Sequence, residues 1–124
     1  MHAINWFEIP AIDLERAFIF YSTILNNNVR KGTFGNSELI LFNVPFNTGE
    51  AVGGSIVVRN DLKPTTEGGN IFLNAFGTLS NAVSKVESAG GKVIVPFMDL
   101  GKFGFAAIII DSEGNKIGLI SNEK

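Results

Sequence analysis

Trp6 and Glu8 stand two residues apart near the start of the stretch NWFEIPAIDLERAFIFYSTIL, Asn5 to Leu25. If that stretch opens with an extended strand, the period of two puts both side chains on one face. The indole then offers a stacking platform for a planar or cationic ligand, or it simply plugs a hole. The carboxylate is a general acid or base if apolar walls raise its pKa, an anchor for a ligand amine, or a rim charge in water or paired with Arg59. Neither is part of a recognisable metal or nucleophile constellation. The only histidine is His2, and the chain has no cysteine. That removes disulfides, thiolate zinc sites, iron–sulfur clusters and a cysteine nucleophile, and leaves Ser22, Ser55 and Ser121 without a histidine partner for a triad.

Other candidates sit further along. Asn74 interrupts the apolar run IFLNAF. It faces a cleft if it shares a side with Phe72, or lies under a helix and bonds backbone if the register differs by one. Phe97, Phe103 and Phe105 gather around KFGF, Lys102 to Phe105, as an aromatic gate or as core. Tyr21 lies on an apolar helical stripe, where its hydroxyl reads as a satisfied core group. Asp111-Ser112-Glu113-Gly114-Asn115 reads as a turn, because it supplies side-chain acceptors and residues tolerant of positive φ. Gly53-Gly54 reads as relief for close backbone approach or a bulge; no phosphate-loop motif accompanies it. Gly32, Gly35 and Gly49 read as turns.

The elements that must position these residues follow from periodicity. Ile4 to Ile9 is a strand. Asp13 is a helix N-cap, and Leu14, Ala17, Phe18, Tyr21, Ile24 and Leu25 recur at helical spacing. Asn26, Asn27 and Asn28 end that helix, since asparagine tolerates the left-handed exit. Val29–Phe34 and Ser37–Val44 form a hairpin about Gly35-Asn36. A loop covers Pro45 to Glu50, and Val52–Arg59 is a further strand. Asn60 to Gly69, NDLKPTTEGG, is a polar linker without periodicity. The pattern then restarts: strand Ile71–Phe76, helical stripe Leu79, Ala82, Val83 and Val86 closed by Gly90-Gly91, and strands Lys92–Val95, Phe105–Ile110 and Lys116–Ser121. LERAFIFYSTILNNNVR, from Leu14, thus lays over LSNAVSKVESAGGKVIV, from Leu79. The chain contains an approximate copy of itself, which constrains the whole architecture.

With 124 residues, 45% apolar and 18% charged, the chain suits one domain over residues 1–124. It comprises module 1 (about 1–59), the linker 60–69 and module 2 (about 70–124). The fold class is α+β: two tandem βαβββ modules, with helices on one face of each sheet and the other faces curved around a cup-shaped cleft. A net charge of −2 with scattered basic residues argues against nucleic acid. No apolar run reaches the roughly 20 residues of a membrane helix, and no signal-peptide pattern opens the chain. The expected location is cytoplasmic.

The two modules resemble the vicinal oxygen chelate superfamily, which includes glyoxalase I, bleomycin-resistance proteins and extradiol dioxygenases. WFEIPAIDLERAFIFY is similar to the opening strand and helix of the lactoylglutathione-lyase-related subgroup. SAGGKVIVPFMDLGKFGFAAIIIDSEGNKIGLIS resembles the closing half of the second module, with its GGK turn and D-x-E-G-N-x-I-x-L ending. The resemblance covers nearly the whole chain and implies the glyoxalase/bleomycin-resistance fold. Catalytic members hold a divalent metal through residues on the first and last strands of each module. Here those positions fall at Trp6, at Ile71 or Phe72, near Gly53 or Gly54, and at Gly118, none of which ligates a hard cation.

The expected function is therefore metal-free binding of a small, partly aromatic molecule in a central cavity, with Trp6, Glu8, Asn74, Phe97 and Phe105 as ligand-binding residues. No metal site and no cofactor are expected, a divalent metal entering only through unexpected ligands. The alternative is a lyase or isomerase acting on a carbonyl or thioester substrate, with Glu8 as the catalytic base. A second alternative is an accessory subunit whose cavity is filled by its own side chains. The expected partners are a small-molecule ligand and a second copy in a homodimer, which would cover exposed sheet edges.

Overall fold

The computed structural model of the chain describes residues 2–45 and 51–124; the turn expected at Gly49 lies outside them. Module 1 runs β1 (Trp6–Pro10), α1 (Leu14–Ile24), β2 (Val29–Phe34), β3 (Ser37–Phe42) and β4 (Gly53–Val57). Module 2 repeats the order as β5 (Phe72–Asn74), α2 (Leu79–Lys85), β6 (Lys92–Asp99), β7 (Phe105–Ile110) and β8 (Lys116–Ser121), with a short 3₁₀ turn at Gly101–Phe103. The sheets are ordered β1-β4-β3-β2 and β5-β8-β7-β6. In each, the first strand lies parallel to the last and the remaining pairs are antiparallel. The internal copy legible in the sequence is thus a copy of topology.

Local chemistry sets the helix ends. Asp13 caps α1 by accepting from Arg16 N at 3.0 Å, and Thr78 caps α2 by accepting from Asn81 N at 3.2 Å. Each satisfies an amide that the first helical turn leaves unpaired. Asn26 and Asn27 leave α1 with φ of 53° and 61°, the left-handed exit expected of the asparagine run, and the Asn27 amide returns to the Ser22 carbonyl at 2.8 Å.

Beyond shifts of one or two residues at strand ends, two elements differ from the sequence reading. Gly32 lies inside β2 opposite Leu39 rather than in a turn, and a Cβ there would sit 2.9 Å from Leu41 Cδ1. β6 continues past Val95 to Asp99 through Pro96, with register shifts between Val93 and Met98. As an edge strand, β6 tolerates a proline that donates nothing to the ladder.

Both sheets share one continuous core. Ile9, Ile40 and Ile56 from the first sheet and Leu73, Ile109 and Leu119 from the second meet the buried sides of α1 and α2. Each such side chain contributes about 1.5–3 kcal/mol by leaving water. The buried stripe of α1 includes Phe20, absent from the sequence stripe, while Leu14 and Phe18 are only partly buried. The reason is tertiary: Phe20 packs on module 2, where a Cβ on Gly91 would meet its ring at 2.7 Å. One helix is gripped from two sides, so its apolar arc is wider than one sheet requires.

Candidate functional site

Alternation along β1 sends Ile9 into the core and leaves Trp6 and Glu8 on the opposite, open face. Trp6 lies opposite Gly53, and Glu8 begins a row across the sheet through Ser55 and Leu41. Because Gly53 has no side chain, the indole has a bare strand beside it. A hollow of about 540 Å³ results, its described lining including Trp6, Glu8, Phe34, Leu39, Leu41 and Ser55. Trp6 is 42% exposed and Ser55 is buried in the floor.

Glu8 Oε1 accepts from Arg59 Nη1 at 2.6 Å, so of the roles open to it in the sequence, the pairing with Arg59 is present. Arg59 is held more firmly on its other side. Its Nε and Nη2 each donate at 3.0 Å to the two carboxylate oxygens of Asp61, a fork that fits guanidinium geometry. Those Asp61 hydrogen bonds and charge, followed by the charge of Glu8, push the guanidinium pKa up, and Arg59 in turn holds the Asp61 carboxyl below its usual range.

Asn74 takes the open side of its sheet. It shares that side with Phe72 and lines a separate cleft of about 620 Å³ with Phe7, Phe42, Phe76 and Phe103. Its Oδ1 accepts from Phe76 N at 2.8 Å, supporting the turn where Phe76 adopts φ 54°. Phe97 and Phe105 stack on one another, centroids 5.6 Å apart, with Lys124 Nζ 5.0 Å above the Phe97 ring; neither ring lines either space. The structure therefore brings Trp6 and Glu8 together and puts Asn74, and the Phe97–Phe105 pair, elsewhere on the chain.

The positions that the resemblance assigns to metal ligands form two matching pairs. Trp6 is registered with Gly53, and Phe72 with Gly118. Each is an aromatic residue beside a glycine, and a Cβ on Gly118 would clash with the Phe72 ring. Neither pair offers an oxygen or imidazole donor from a side chain, and among the described residues no group of three His, Cys, Asp or Glu is placed to hold a metal ion. The donor set does not fit the metal chemistry of the catalytic members of the superfamily that the sequence resembles.

The polar cluster missed in the sequence is structural. Tyr21 is buried and donates to Asp111 Oδ2 at 2.5 Å, as expected of a satisfied core hydroxyl. Asp111 also accepts from the amides of Glu113 and Asn115 and from Asn115 Nδ2, each at 2.9 Å. Asn115 Nδ2 reaches the Pro10 carbonyl at 2.7 Å, and Glu113 receives the amides of Ile12 and Asp13 and the Arg16 guanidinium. The DSEGN turn of module 2 is a socket for the start of α1. The signal in the sequence was its density of acceptors; the partner, about a hundred residues away, was not visible.

Solved structures match this arrangement. A glyoxalase/bleomycin resistance protein from Albidiferax ferrireducens T118 is 16% identical with a TM-score of 0.65, over 96% of this chain and 98% of that one. The chain has the glyoxalase/bleomycin-resistance fold. A glyoxalase-related enzyme from Fulvimarina pelagi shares the fold at 11% identity and a TM-score of 0.67, over 97% and 88% of the two chains. Glyoxalase I from Zea mays aligns at 17% identity and 0.67 over 95% of this chain but 45% of its own length. No protein-family model and no curated protein matches the sequence. The likeness to the vicinal oxygen chelate proteins is thus one of fold. No helix among the described residues is long and apolar enough to cross a membrane.

Proposed function

We infer that this glyoxalase-fold protein binds a small, partly aromatic molecule in the hollow over β1, against Trp6, without a metal. One observation carries the reading: a half-exposed indole and a carboxylate share the floor of an open, mostly apolar hollow at a position whose strand partner is a glycine. An indole kept partly in water forgoes burial it could have gained, and a flat ligand would recover it. The protein works as a cytoplasmic homodimer in this reading, a second copy covering an open sheet edge.

A lyase or isomerase of the lactoylglutathione-lyase-related kind, with Glu8 as base, is the second reading. Glu8 does line the hollow, but Arg59 occupies one of the oxygens that would take the proton.

Trp6 is the only tryptophan, so its emission reports on the hollow alone. Titration with a panel of monocyclic and bicyclic aromatic fragments is expected to give saturable changes, abolished in Leu41→Arg, which fills the hollow. A panel without effect overturns the reading. A melting temperature raised by Ni²⁺, Zn²⁺, Mn²⁺ or Mg²⁺ and restored by a chelator overturns its metal-free character.

A further inference from the structure

Resting on the hollow as a ligand site, we propose that its ligand is an organic cation: a flat apolar body carrying an ammonium or similar group that takes Glu8 as its counter-ion. Three observations converge. Glu8 is the charged side chain among the described lining residues, and no lysine or arginine is among them. The remaining described walls are apolar or neutral, so an anion entering there would meet a carboxylate and no cationic side chain among the described lining residues. Arg59, the cation nearest Glu8, makes one contact to it and two to Asp61.

That asymmetry gives the mechanism of exchange. Arg59 can release Glu8 while its fork on Asp61 stays intact, so a ligand ammonium can take its place on Oε1 without stranding the guanidinium. Among the described residues, the Glu8–Arg59–Asp61 group holds two carboxylates and one guanidinium, an excess of negative charge that the ligand neutralises. The ring face of Trp6, on the same strand face two residues away, adds cation–π attraction for a cation and stacking for its flat body. The same charges disfavour a dianionic thiol conjugate or a phosphate ester.

The test uses three probes of like shape and different charge: phenethylamine, 2-phenylethanol and 3-phenylpropanoate, each titrated against Trp6 emission at low salt. Phenethylamine is expected to bind about tenfold more tightly than the alcohol, the ratio one charge-assisted hydrogen bond supplies. The anion is expected to bind more weakly than both. Glu8→Gln should erase the preference for the amine over the alcohol. Arg59→Gln, which removes the competing cation, should tighten phenethylamine severalfold. The alcohol or the anion binding as well as the amine in the native protein overturns the charge assignment while leaving the hollow a binding site; so does a loss of amine affinity in Arg59→Gln. If none of the three probes moves the emission while larger neutral aromatics do, the cation proposal fails alone. If nothing moves it, the underlying site reading fails with it.

Discussion

Glu113 grips Arg16 across 97 residues of chain, Oε2 lying 2.6 Å from Nε and Oε1 3.0 Å from Nη2. The same Oε1 accepts the amides of Ile12 and Asp13 at 2.9 and 2.7 Å. One carboxylate from the second module therefore supplies the negative charge that the start of α1 favours and anchors that first-module helix to the second module.

The Glu113 side chain is buried whereas that of Arg16 is half exposed. Breaking a fully buried pair costs about 3–5 kcal/mol; solvent on the Arg16 side reduces this, and Glu113→Ala is expected to lose roughly 2–3 kcal/mol. Urea unfolding measures it. A loss below about 0.5 kcal/mol would place the anchor elsewhere.

Acidity probes the same contact. Burial pushes the Glu113 pKa up, but the Arg16 hydrogen bond and those from the Asp13 and Ile12 amides outweigh it and hold the carboxyl below the ordinary range. A pKa lower in the folded than in the unfolded chain gives stability that is full above the ordinary glutamate range and lost as pH falls through the folded value. The melting temperature should drop on acidification below about pH 4, and should drop less steeply in Glu113→Gln. Parallel pH profiles for the two proteins would refute this.

Tyr21 is the only tyrosine, which makes its ionisation directly visible by ultraviolet absorption. Burial, followed by the charge of Asp111 and the hydrogen bond to it, raises its pKa well above the ordinary value. A raised folded pKa means stability present below the unfolded tyrosine pKa of about 10 and lost as pH climbs through the folded value. Phenolate absorption should therefore appear only with unfolding. Tyr21→Phe should cost about 1–2 kcal/mol, since Asp111 loses a donor in a dry site. Reversible titration near pH 10 in the folded chain would contradict the geometry.

Two aromatic–glycine contacts, Phe7 on Gly54 and Phe72 on Gly118, should respond differently to a methyl group. A Cβ on Gly54 would meet the Phe7 ring at 2.5 Å, and Phe7 packs against Phe42 with centroids 5.3 Å apart. Gly54→Ala should therefore cost about 1–3 kcal/mol. Phe72, which covers Gly118, is 43% exposed and can swing into solvent, so Gly118→Ala should cost less. Thermal denaturation of both variants decides the order; equal losses would mean that Phe72 is as firmly held as Phe7.

At the exit of α1, Asn27 is exposed with φ 61°. Asn27→Gly should be neutral or stabilising by a few tenths of a kcal/mol, and Asn27→Val destabilising by about 1–2 kcal/mol. Chemical denaturation of the pair measures the gap; equal stabilities would rule out the left-handed conformation.

By itself the sequence determined the repeated βαβββ order, the Asp13 cap of the first helix, the left-handed asparagine exit and the shared face of Trp6 and Glu8. Each depends on spacing within about a dozen residues, where helical and strand periods or a capping oxygen act directly. It also showed that Trp6 and the glycines at the resemblance's ligand positions carry no metal donor. Tertiary structure alone decided the rest. Phe20 is core because a second module packs on α1. Asn74 turns outward because Leu73 beside it enters the core. Phe97 and Phe105 stack together away from both clefts. Glu113 binds Arg16, and Asp111 binds Tyr21, through a contact that closes only when the modules dock. The common reason is physical: local periodicity says which side a residue faces, but which partner waits on that side depends on how distant segments pack, and no short-range pattern encodes that distance.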